Sequence, residues 1–243
     1  MREVDEALAR VYSQRVRDDR ATVPPPPHLL APAGVELDWP SLVLNLEERY
    51  GERFRAMADA LLENRARTGQ KVLLFTSCQR AEGRTTLLLT LARALARTPG
   101  RTLLIDADLS GPTLAHQLGL RPDSGLDDVV EHGRVLADAL IEAPADNLTL
   151  LPLRLPVAQA RAFLASPAWV CVLAKVRREF DLVLLDGGPM FLGLSAAIMH
   201  RSVDAAILVF NRSLTGERAL TRAREVLNAA GIPLLGLAET FAP

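Results

Sequence analysis

Residues 71–96 read KVLLFTSCQRAEGRTTLLLTLARALA: an apolar run of strand length, a polar loop, and a long apolar segment that opens on Thr85 and Thr86. The first run lacks the apolar–polar alternation of a half-exposed strand, which predicts a strand covered on both faces. The same texture returns in TLLIDAD, NLTLLPL, DLVLLDGG, AAILVFN and PLLGLAE. Helix-length intervals at 84–97, 112–119, 158–179, 194–201 and 215–230 separate most of these runs. Strand and helix in alternation predict an α/β fold with a mostly parallel sheet flanked by helices. Ligands of such sheets bind at the carboxyl ends of the strands, so chemistry is sought in the residues just after each run.

The first run is followed by Ser77-Cys78-Gln79-Arg80-Ala81-Glu82-Gly83-Arg84-Thr85-Thr86. A strand, a tight loop and a helix start form the setting of a phosphate site, because loop amides and the helix N-terminus turn partial positive charge toward an anion. Against G-x-x-x-x-G-K-[ST], Gly83 and Thr85 match, Cys78 replaces the first glycine and Arg84 replaces the lysine. The second run ends in Asp106 and Asp108, and the fourth in Asp186 followed by Gly187-Gly188-Pro189. One aspartate at a strand end is commonly a cap or turn former. Three of them beside one Gly-Arg-Thr-Thr loop predict a nucleotide site, where carboxylates can hold the magnesium that accompanies phosphates.

Outward from this centre the chain is ordinary in composition. It has 243 residues, 49% hydrophobic and 23% charged, with a formal charge of −1, so no broad nucleic-acid surface is expected. Only Lys71 and Lys175 are lysine among 28 basic residues, which leaves few candidates for any site that needs an amine. Cys78 and Cys171 make no disulfide framework, and Cys78 reads as a small loop filler. No signal peptide or membrane-spanning run is visible, and the cytoplasm is the expected compartment. Val4, Leu8, Val11 and Val16 predict a short amphipathic helix within residues 1–20, ended by Pro24 to Pro27. Residues 1–40 are therefore expected to be a helix and proline-rich tether, and 41–243 the domain. From Ser41, the recurrence of Leu42, Leu46, Tyr50, Phe54, Met57, Leu61 and Leu62 predicts a helix with a break at Gly51.

With these residues in place, the chain resembles the bacterial tyrosine kinases of polysaccharide export, a branch of the deviant-Walker P-loop ATPases that also holds the MinD and ParA types. The resemblance covers about residues 41–240. Its most specific part is LLIDADLSGPTLAHQLGL with GLDDVV at Gly125 to Val130, joined by FDLVLLDGGP, AAILVF, Thr215 and IPLLGLAE. ERFRAMADALL resembles the helix through which the family's subunits pack into rings; Glu52 and Arg55 match its pattern and Ala58 departs from it. Further departures are Arg84 for the loop lysine, Ala81 for a usual glycine, Gln79 at the partition branch's signature lysine, and Gly187-Gly188 where Thr-Pro is common. No cluster of acceptor tyrosines follows Glu239, and the only tyrosines are Tyr12 and Tyr50.

The resemblance implies a MinD-like P-loop NTPase fold and ATP or ADP with Mg2+ as ligand. Gln79, Arg80, Ala81, Glu82, Gly83, Arg84, Thr85 and Thr86 are the implied nucleotide contacts. Arg84, Asp106 and Asp108 are the implied catalytic residues, and Thr85, Asp106 and Asp186 the implied metal ligands. Phosphoryl transfer is expected to be slow, because a wide planar guanidinium is not equivalent to a compact ammonium inside an amide cradle. The implied partners are a membrane-bound polysaccharide co-polymerase or adaptor, which would recruit the chain to the inner face of the membrane, and further copies of the chain. Two other readings stand beside this one: an inactive scaffold partner of the co-polymerase, and a positioning ATPase of the partition type.

Overall fold

The computed structural model describes residues 34–192 and 203–241. The expected N-terminal helix, the run Pro24 to Pro27, Tyr12, and the helical interval 194–201 lie outside these residues. The described elements are α1 (Ser41–Thr68), β1 (Val72–Ser77), α2 (Arg84–Leu95), β2 (Thr102–Ala107), α3 (Leu114–Gln117), α4 (Leu126–His132), α5 (Leu136–Ala139), β3 (Ile141–Ala143), β4 (Leu148–Leu151), α6 (Ala160–Ala165), α7 (Pro167–Glu179), β5 (Leu182–Pro189), β6 (Ala205–Phe210), α8 (Glu217–Ala229) and β7 (Leu234–Glu239). All six expected runs are strands.

The seven strands form one sheet in the order β3-β4-β2-β5-β1-β6-β7. Every pairing is parallel except β3 with β4. Successive side chains of a strand point to opposite faces, and here both faces are covered. Leu73 and Phe75 of β1 join a core with Val43, Leu61, Leu88 and Leu91 beneath α1 and α2. Val72 and Leu74 join the opposite core with Trp169, Val176, Leu220 and Leu227 from α7 and α8. That double burial is why the strand sequences do not alternate.

Three departures from the expected elements have local causes. The break in α1 falls at Tyr50, whose φ of −128° and ψ of 17° leave the helical region one residue before Gly51. The interval 158–179 splits at Ser166, which is extended at ψ 145° and caps α7 by accepting the Trp169 N–H at 3.2 Å. Pro167 then opens the new helix, where its missing N–H removes nothing. Strand β3 is three residues long, Ile-Glu-Ala, too short to show as an apolar run.

Strand order positions the site. β5 lies between β1 and β2, so Asp186 pairs in register with Asp106 on one side and Phe75 on the other. Gly187 permits this approach, because a Cβ there would lie 2.5 Å from Leu74 Cδ1 and 3.1 Å from the Phe75 carbonyl oxygen. Beyond it the register of β1 and β5 shifts, and Thr76 donates its hydroxyl to the Gly188 carbonyl at 2.9 Å. Among the described residues, no helix is long and apolar enough to cross a membrane.

Candidate functional site

The loop between β1 and α2 closes on two residues with positive φ, Ala81 at 60° and Gly83 at 76°. The left-handed conformation is free for glycine and costs a side-chain-bearing residue about 1–2 kcal/mol. Gly83 caps α2, and Arg84 is that helix's first residue. A cavity of about 310 Å3 opens above the loop, lined along Gln79 to Thr86 and closed from other elements by Asp108, Gly111 and Phe241.

Arg84 is turned down into the sheet rather than out along the loop. It is 9% exposed. Its Nε donates to Asp186 Oδ1 at 2.6 Å, Nη2 to Asp108 Oδ2 at 3.1 Å, and Nη1 to Ser77 Oγ at 3.3 Å. Thr85 Oγ donates to the other Asp186 oxygen at 2.7 Å. Burial by itself disfavours the charged guanidinium, but Asp186 and then Asp108 outweigh it and hold the Arg84 pKa above its usual value. Arg80 approaches the same cluster from the exposed side, with Nη2 on Ser110 Oγ at 2.8 Å and Nη1 3.4 Å from Asp108 Oδ2. Gly111 leaves room for it, since a Cβ there would stand 2.9 Å from both Arg80 Nη atoms.

Asp106 belongs to the cluster by position and is satisfied differently. One of its oxygens accepts the N–H groups of Thr113 and Leu114 at 3.0 and 2.9 Å, and the other the Asp108 N–H at 3.2 Å. Burial, and then the charge of Asp186, push its pKa up to about 7 against the lowering effect of those backbone donors. Near neutral pH the site therefore carries less negative charge than three aspartates suggest.

Two loop residues tie the loop to other segments with their side chains. Gln79 sends its side-chain amide to the Leu214 carbonyl at 2.7 Å. Glu82, 1% exposed, accepts the Gln79 N–H at 2.8 Å, the Asn211 N–H at 3.3 Å and the Thr215 hydroxyl. Its backbone carbonyl accepts the Thr240 hydroxyl at 2.7 Å. Glu82 thus straps the loop to the segments after β6 and β7, a role that its place in the motif does not reveal. Cys78 lies beside this strap as a filler; burial, then the charge of Glu82, push its thiol up to about 11. Thr86 lines the cavity on the first turn of α2. Ser110, Gly111 and Phe241 are site residues without a sequence signal, since each reaches the loop only through the fold, while Ser77 heads the loop and its role toward Arg84 is not legible in the letters.

The donor set suits a phosphate. Loop amides, a helix N-terminus and two arginines converge on one cavity, the chemistry that binds polyanions. A metal accompanying the phosphate would draw on Thr85, Asp106 and Asp186. Among the described residues, no three His, Cys, Asp or Glu side chains form a metal-holding cluster by themselves. Both oxygens of Asp106 and both of Asp186 already accept hydrogen bonds from the protein, so an ion at these carboxylates would have to compete with those donors.

No family model matches the chain. CpsD of Streptococcus pneumoniae, named a tyrosine-protein kinase, is 28% identical over 168 residues, which cover 69% of this chain and 74% of that protein. The VpsO kinase domain superposes with a TM-score of 0.70 at 26% identity and covers 82% of this chain and 99% of its own. The septum-site determining protein MinD of Pyrococcus horikoshii, solved with Mg-ADP, superposes with a TM-score of 0.57 at 26% identity, over 69% of this chain and 68% of its own.

Proposed function

Taking the chain as a homologue of the bacterial tyrosine kinases, within the MinD-like P-loop ATPases and with a degenerate phosphate loop, we propose that it binds ATP or ADP above Gly83, Arg84 and Thr85 and serves capsule or exopolysaccharide synthesis. The observation that carries this reading is the convergence of the β1–α2 loop with Asp106 and Asp108 at the carboxyl end of β2 and Asp186 on neighbouring β5. Gly83, Thr85 and Thr86 offer amides and hydroxyls to the phosphates, with Arg80 beside them. Magnesium, when bound, supplies further charge neutralisation, and Thr85, Asp106 and Asp186 are the residues that would hold it. Phosphoryl transfer is slow, because the loop cation is fixed on Asp186 and Asp108 instead of being free to follow charge onto a leaving phosphate. Of the two tyrosines, Tyr50 sits at the α1 kink beside the Arg49 and Arg53 guanidinium groups and reads as packing, while Tyr12 lies outside the described residues, so transfer to a tyrosine of another protein is the arm of the reading that is tested.

The clamped guanidinium also favours a second reading, a regulatory partner of a membrane polysaccharide co-polymerase that binds nucleotide without turning it over. Titration of the full chain with a fluorescent ATP analogue tests the shared premise; absence of binding at millimolar nucleotide overturns both. Phosphate release and transfer to a tyrosine peptide then separate them. R84K is expected to raise turnover if the guanidinium is what slows transfer.

A further inference from the structure

Resting on that nucleotide-binding reading, we propose that Arg84 is the site's built-in counter-ion, and that nucleotide affinity at this loop is nearly independent of magnesium. Two carboxylates, Asp186 at 1% and Asp108 at 2% exposure, share one guanidinium that is itself 9% exposed. Withdrawing the guanidinium would leave Asp186 buried with no cation, only the Thr85 hydroxyl, and Asp108 with only the half-exposed Arg80, which is far more costly than the pair's own formation. Arg84 therefore stays where it is whether or not nucleotide is present. A lysine in its place would be a point charge on a flexible stem, free to leave the carboxylates for a phosphate.

The fork of the guanidinium makes both tasks possible at once. A guanidinium has five N–H donors, and here one goes to Asp186, one to Asp108 and one to Ser77. The remaining donors are on the Nη atoms of a residue that lines the cavity together with Gly83 and Thr85. An incoming phosphate thus meets a fixed cation below it, and the half-exposed Arg80 beside it through Asp108.

Magnesium contributes to nucleotide affinity by neutralising phosphate charge and by giving the strand-end carboxylates a cation. Both needs are already met. Asp186 has one oxygen on Arg84 and the other on the Thr85 hydroxyl. A divalent ion would share this carboxylate with a resident positive charge in a low-dielectric setting, where like charges repel strongly. Its gain on binding is correspondingly small.

Calorimetric titration of the full chain with ADP, in excess EDTA and in millimolar magnesium, tests the proposal. The expected dissociation constants agree within about threefold, less than the weight of one charge-assisted contact. R84K, which frees the carboxylates for metal, is expected to bind ADP at least about tenfold more tightly with magnesium than with EDTA. R84M/D186N removes Arg84 together with the carboxylate that has no other cation and leaves Asp108 to Arg80, so it keeps the interior balanced should R84K not fold. It is expected to lose binding in EDTA and recover it with magnesium. Wild-type binding that requires magnesium overturns the proposal and leaves the nucleotide reading intact. No binding in either buffer overturns the nucleotide reading itself. Variants as indifferent to magnesium as the wild type show that Arg84 is not the counter-ion.

Discussion

Arg84 is the residue on which chemistry and stability meet. R84A leaves Asp186 buried without a cation and Asp108 with only the half-exposed Arg80, and unfolding in urea should show a loss of about 3–5 kcal/mol. R84K should lose much less, because a charge remains. Ala81 carries the opposite lesson. Its φ of 60° is strained for alanine, so A81G is expected to stabilise the chain by up to about 1 kcal/mol in the same measurement. The substitution of arginine for lysine, and of alanine for glycine, is readable in the letters QRAEGRTT. What the letters do not contain is direction. Guanidinium and ammonium both fit a phosphate loop on paper, and only the spacing of β1, β2 and β5 turns this one downward. Glu82 is equally opaque, since its partners Asn211, Thr215 and Thr240 stand more than a hundred residues away in the chain.

The strands are readable because burial on both faces removes alternation, and the helices because they lie between them. Elements whose existence depends on a partner are not: β3 is a strand only through β4, and the split between α6 and α7 arises from one serine's conformation. Position within the sheet also carries a prediction. Gly187 has no room for a Cβ against Leu74 and the Phe75 carbonyl, so G187A should push β5 off β1, costing roughly 1–3 kcal/mol and weakening nucleotide binding through Asp186. At the opposite end of the sheet, Asp181 ties β5 to α1. Its pKa is lowered first by the Arg101 backbone N–H and, against the opposing effect of burial, also by the charges of Arg65, Arg101 and Lys71. A depressed carboxylate stabilises the fold above its unfolded pKa and ceases to do so as pH falls through the folded one. D181N should therefore melt below the wild type near neutral pH, and the two melting curves should converge in acid. The difference is expected to stay within about 1 kcal/mol, as for other half-exposed pairs.

Taken whole, the domain is a sheet with two separate cores whose strand ends meet at one loop, and that much is legible in six apolar runs and three aspartates. Association with other copies lies further from the letters. Glu52 and Arg55 are exposed on α1, while Ala58, three residues on, is buried beneath it. Sedimentation should find assemblies of the wild-type chain, and E52A/R55A should shift them toward the monomer if this face is the contact. Lysine scarcity has a last, practical bearing. Lys71 stands at the far end of β1 from the loop, its ammonium bound to the Phe180 carbonyl at 3.0 Å, so no amine of that strand lies near the phosphates. Reagents that find nucleotide sites by acylating the lysine of the phosphate loop meet an arginine here, so weak labelling by them will say nothing about occupancy. An arginine-selective dicarbonyl, directed at half-exposed Arg80 and blocked by ADP, is the reagent that would bring it into view.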